Sequence, residues 1–135
     1  MTVHLLSPTT MAQPVPYHHV AVGTGTRHVH VAGQVGTDSE GQLVAGDLAS
    51  QVAQALRNTA LGLAGAGATF DDVLRLTFYV TDWTPDKMDE VMAGIGRVAA
   101  DLAIPAPMPP ASLIGVACLF VPDVLVEVEA TAILD

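Results

Sequence analysis

Apolar and polar positions along the chain fall into blocks with two different periods, and the blocks predict the elements. "YHHVAVGTGTRHVHVAGQV" (residues 17–35) reads as two strands on either side of a Gly-Thr-Gly turn at residues 23–25. Gly41 marks a second turn in "DSEGQ". The period then becomes helical: Leu48, Val52, Ala55, Leu56, Thr59 and Leu63 fall on one face, behind Asp47 as N-cap. "GAGAT" ends that helix, with Gly65 or Gly67 able to take a left-handed conformation. Alternation returns in "DDVLRLTFYV", which puts Leu74, Leu76, Phe78 and Val80 on one face and Val73, Arg75, Thr77 and Tyr79 on the other. A second helix is predicted from "TPD", with Thr84 as cap and Pro85 in the first turn. Its buried stripe would be Met88, Val91, Met92, Ile95, Ala99 and Leu102, and Pro105 would end it. Two strands follow near residues 112–119 and 124–133, joined by a turn at Pro122 and Asp123.

The order ββαβαββ describes one α+β domain over residues 1–135, with residues 1–13 expected to be loosely ordered. Two helices cover only one face of a mixed five- or six-stranded sheet. The other face would carry Val29 or His28 with Thr77, Tyr79 and Glu127, a mixture too apolar to stay fully wet. Oligomerisation through that face is the simplest remedy.

Composition sharpens this picture. Half of the residues are hydrophobic and only 14% are charged, which again points to surface covered by protein. Five Lys and Arg against fourteen Asp and Glu give a net charge of −9, which disfavours a nucleic-acid partner. A single cysteine, Cys118, excludes an intrachain disulfide framework and is expected to be a small buried hydrophobe. With no signal-like start and no apolar run long enough for a bilayer, the expected setting is cytoplasmic, without a membrane partner.

Candidate chemistry centres on "VLVEVEATAIL", where Glu127 and Glu129 share a strand face. Such a pair either is solvated, pairs with Arg75, or supplies a general acid/base, because partial burial raises a carboxyl pKa toward neutrality. His28 and His30 also share a face, but no third ligand follows at a recognisable spacing, so no metal site is assigned. The glycines of "GTGTRH" do not complete a dinucleotide fingerprint and fit a hairpin turn.

The segments "VPYHHVAVGTG", "VHVAGQVGTDSEGQLVAGDLASQVAQALRN", "DDVLRLTFYVTD" and "PPASLIGVACL…VLVEVEATAI", in this order, resemble the Rid family. These are the reactive intermediate deaminases, also called YjgF and formerly endoribonuclease L-PSP. The resemblance spans about residues 14–133. It implies a chorismate-mutase-like α+β fold, a homotrimer, and a small-molecule ligand bound in clefts between subunits. It also implies cofactor-free hydrolysis of enamines and imines such as 2-aminoacrylate. By resemblance, Tyr17 matches a pocket tyrosine, Gly33 a backbone contact, and Glu127 the carboxylate that handles the attacking water.

The chain departs from the family pattern at the carboxylate-clamping Arg of Pro-Ala-Arg-Ser. "PPAS" places Ala111 there, Leu113 stands where many members have Cys, and Asp89 stands near a family Asn. Arg75 is the one cation placed to substitute. The resulting expectation is deamination of an imine or enamine that needs no carboxylate clamp. The alternative is a non-catalytic trimer that binds a small molecule or a partner through Ala111, Leu113, Ile114 and Val116. Ribonuclease activity is disfavoured by the charge. At physiological salt the protein should therefore show no salt-sensitive RNA binding in a gel-shift titration. Binding that weakens steeply with salt, with cleavage lost in Glu127→Gln, would overturn this.

Overall fold

The computed structural model describes residues 2–44 and 46–135. Six strands and two helices follow in the order β1 (Val3–Leu6), β2 (Val20–Gly23), β3 (Arg27–Gln34), α1 (Leu48–Gly65), β4 (Val73–Thr81), α2 (Met88–Val98), β5 (Ala111–Val116) and β6 (Val126–Leu134). The strands divide into a four-stranded mixed sheet, β3-β6-β4-β5, and a separate β1–β2 ribbon. Only β4 and β5 run parallel within the larger sheet; β6 lies antiparallel between β3 and β4.

Core formation follows from the alternation in β6. Val126, Val128, Ala130, Ala132 and Leu134 are buried toward the helices, joined by Leu76, Phe78 and Val80 of β4. Helix α1 supplies Leu48, Val52, Ala55, Leu56 and Leu63, as its periodicity predicts, and the Asp47 side chain accepts from the Ser50 amide at 3.0 Å. Its end is closed by Gly67 at φ 80°, with the Ala68 amide donating to the Leu63 carbonyl and the Gly67 amide to Ala64. That is a Schellman closure, which favours glycine at the left-handed position. Helix α2 touches α1 where Gly94 meets Ala49: a Cβ at residue 94 would stand 2.5 Å from the Ala49 carbonyl oxygen.

Several expectations change in the structure. Strands β2 and β3 do not form a hairpin; β2 pairs with β1, and β3 pairs with β6. Gly25 instead lies against the end of β6, where the Thr26 amide donates to the Leu134 carbonyl at 3.0 Å. The segment expected to be loosely ordered contains β1, whose Val3 is buried. A bulge in β4 makes Leu74 the extra residue, so Val73, not Leu74, joins Leu76 in the core. Leu74 turns to the opposite face, where with Ile133 it meets Gly23 of the ribbon. Helix α2 ends at Val98, before Pro105, and begins behind a 3-10 turn at Pro85–Lys87 in which Thr84 makes no side-chain cap. Strands β5 and β6 are not neighbours, because β4 lies between them.

The loop into β6 is fixed by one buried side chain. Gln51 of α1 donates Nε2–H to the Asp123 carbonyl at 3.0 Å and accepts the Leu125 amide on Oε1 at 2.9 Å. An apolar replacement would leave that amide unpaired next to the core. We expect Gln51→Leu to lower unfolding free energy by about 2 kcal/mol, read from the urea midpoint at unchanged m-value.

Candidate functional site

The sheet face without helices gathers most of the polar residues of the strands. On β6, Glu127, Glu129 and Thr131 are half-buried between the inward valines and alanines. Register places Tyr79 opposite Glu127, Thr77 opposite Glu129 and Arg75 opposite Thr131. The Tyr79 hydroxyl donates to Glu129 Oε1 at 2.6 Å. That bond is the main cause of a Tyr79 pKa above the usual 10.0; burial and the charges of Glu129 and Glu127 add to it, and Arg75 opposes it. Arg75 donates to the Ser112 hydroxyl on β5. Among the described residues it forms no ion pair with Glu127 or Glu129.

Glu129 is thus engaged, and Glu127 is the carboxylate left available. No hydrogen-bond donor among the described residues meets it. Its neighbour is the backbone of Gly33, in a β3 bulge where Val31 pairs with Ala130 but Gln34 with Val128. A Cβ at Gly33 would lie 2.4 Å from Glu127 Cδ and Oε2, so only glycine leaves the carboxylate in this position. His28 and His30 sit further along the same face, and no group of three potential metal ligands forms among the described residues.

Tyr17, Ala111 and Leu113 lie on the opposite side of the sheet. Ala111 pairs with Leu76 and Leu113 with Phe78, and both pack against the core on the helix side. There they line a recess with Pro16, Tyr17, Met88, Met92 and Met108. Tyr17 is held by backbone bonds across Met108, His18 N–H to the Met108 carbonyl at 2.7 Å and Met108 N–H to the Pro16 carbonyl at 2.9 Å. The His19 ring stands edge-on to the Tyr17 ring at 5.4 Å.

Among the described residues, the predicted site residues do not gather in one pocket. Tyr17, Ala111 and Leu113 face the helices, whereas Glu127, Gly33 and Arg75 belong to the open face. Ile114, paired with Tyr79, follows the open face, because adjacent strand residues point to opposite sides. Asp89 is exposed in the first turn of α2 and does not line the recess. Cys118 is exposed, because β5 ends at Val116 and leaves it in the following loop. The predicted buried stripe of α2 is also revised: Met88 and Met92 are 41% and 36% exposed and look into the recess. The same helical spacing would signal either burial or a pocket wall.

The fold is that of a small α+β protein with an available carboxylate on the open sheet face and an apolar recess under β5. The chain belongs to the Rid/YjgF family: the family model described as "Endoribonuclease L-PSP" matches residues 9–134. A RutC family protein of Pyrococcus horikoshii is 30% identical over 129 residues, 89% of each chain. Human 2-iminobutanoate/2-iminopropanoate deaminase is 40% identical over 57 residues, 42% of each chain. Among solved structures, YyfB of Yersinia pestis, a Rid-family protein of unknown function, superposes with a TM-score of 0.88 at 38% identity, covering 99% of this chain and 100% of that one. No helix among the described residues is long and apolar enough to cross a membrane.

The Tyr79–Glu129 bond has a definite pH signature. A raised tyrosine pKa contributes stability that is complete below the unfolded value of 10.0 and lost as pH rises through the folded value. Chemical denaturation from pH 8 upward should show wild type losing stability more steeply above about pH 10 than Tyr79→Phe. Parallel curves would mean that the bond is absent in solution.

Proposed function

We propose that the protein hydrolyses an imine or enamine, without a cofactor, in a cleft between subunits of a cytoplasmic homotrimer. One observation carries this reading: the available carboxylate of Glu127 and the recess at Tyr17 and Ala111 lie on opposite faces of one chain. They complete one site only if the open face of one subunit meets the recess of the next. Covering that face would also remove its half-buried apolar surface from water, and the deaminase name of the human relative supplies the chemistry.

In this site Glu127 takes a proton from water as the water oxygen attacks the imine carbon. The carbinolamine nitrogen takes that proton back from Glu127; the C–N bond then breaks with its electrons leaving on nitrogen, the hydroxyl oxygen forms the C=O bond, and its proton passes through Glu127 to the ammonia, which leaves as ammonium. An enamine is first protonated on carbon to give the imine. The Gly33 backbone and the Tyr17 hydroxyl orient the substrate. A protonated imine beside Glu127 is favoured electrostatically in a chain of net charge −9. Ala111 offers no donor to a carboxylate, and Arg75, held on Ser112, is the nearest substitute. Asp89 adds only negative charge near the recess. Activity on 2-aminoacrylate should accordingly be weak.

The apolar lining around Ala111 and Leu113 favours a second reading, a trimer that binds a small molecule without chemistry. Ammonia release from freshly generated neutral-headed imines separates the two. Glu127→Gln should reduce it at least a hundredfold, and Ala111→Trp should block it. Refolding these two variants together should restore activity, because about one cleft in four then combines two intact halves. No ammonia from any imine tested would favour the binding reading, and no recovery on mixing would place the site within one subunit.

A further inference from the structure

We propose that the recess beneath β5 seats the apolar chain of a small molecule, a short unbranched alkyl group. This deepens the reading above and rests on it only for the identity of the head group.

The walls are Phe78, Met88, Met92, Ile95, Met108 and Leu113; of the lining residues only Tyr17 and Ser112 have polar side chains, and the Ser112 hydroxyl is held by Arg75 on the open face. No charged side chain lines the space, so a carboxylate or ammonium seated here would lose its hydration without a partner. Met88 and Met92 belong to the apolar stripe of α2, yet they stand 41% and 36% exposed, over the recess and not under the core. Concentrated, concave apolar surface of this kind gains free energy when a ligand removes it from water.

Size selects the shape of the ligand. The cavity measures about 80 Å³. An apolar cavity of about 150 Å³ holds a benzene ring, so this recess, about half that size and open to solvent on one side, admits only a few methylenes of a ligand. Ala111 lines the recess together with Met92 and Leu113, so a longer side chain at residue 111 would extend into that space. Three thioether side chains can follow the contour of a flexible chain more readily than branched residues can.

The test uses n-alkanols from ethanol to hexanol as neutral probes, with methionine methyl groups labelled for NMR. Shifts should appear at Met88, Met92 and Met108, while exposed Met11 serves as the internal control. Affinity should rise about fourfold per methylene until the recess is full, then level off. Ala111→Leu should abolish the dependence on chain length, and Met92→Gln, altering another wall, should weaken it. Equal shifts at Met11, or affinity that ignores chain length, would overturn the proposal. Binding needs no turnover. Chain-length-dependent binding without ammonia release from any imine therefore supports the recess and removes the deaminase reading. Ammonia release indifferent to chain length does the reverse.

Discussion

A strand sends successive side chains to opposite faces, and in this protein the rule acts hardest on β6, which has a partner on both edges. Val126, Val128, Ala130 and Ala132 must all face the helices for the core to close, which forces Glu127, Glu129 and Thr131 onto the other side. Through register the same constraint orders β4 and β5: Tyr79 and Ile114 accompany the glutamates, while Phe78 and Leu113 accompany the valines. A slip by one residue would bury both carboxylates beneath α1. The carboxylates therefore cannot be moved without dismantling the core.

This rule explains how much could be read from the chain. Where the pattern is periodic and local, as in α1 behind Asp47 or in the alternation around Glu127, sequence and structure agree. The proximity of Gly33 to Glu127 was accessible only through family resemblance, because it depends on a bulge between distant strands. Bulges defeat pattern reading in general: the extra residue at Leu74 transfers Val73 to the core and shifts the phase of everything before it. Pairing partners are equally hidden, since "VGTGT" looks like a local turn while its flanking strands pair with β1 and β6. Met88 and Met92 were legible as apolar positions but not as the wall of a recess, and Cys118 was misplaced because the strand before it ends at Val116, three residues short of the expected end.

The sparse cations show a consistent habit. Arg75 bonds a serine hydroxyl, Arg97 the Ser50 hydroxyl, Lys87 the Asp82 carbonyl and Arg57 the Gln54 amide oxygen. With Arg27, whose Nε donates to the Asp135 main-chain oxygen, none of the five cations hydrogen-bonds an Asp or Glu side chain among the described residues. On the open face Arg75 opposes the effect of Glu127 and Glu129 on Tyr79 without bonding either carboxylate.

Strand β5 carries one further consequence. It is an outer strand of six uncharged residues, Ala111–Val116, and one edge of its backbone has no partner in the sheet. Short apolar edges of this kind are templates for uncontrolled strand addition and aggregation. The chain brackets this one with Pro107, Pro109 and Pro110 before it and Pro122 after it. Proline lacks the amide proton that a growing ladder requires. The prolines thus act as stops on intermolecular pairing, limiting the exposed edge to the length that the fold itself uses.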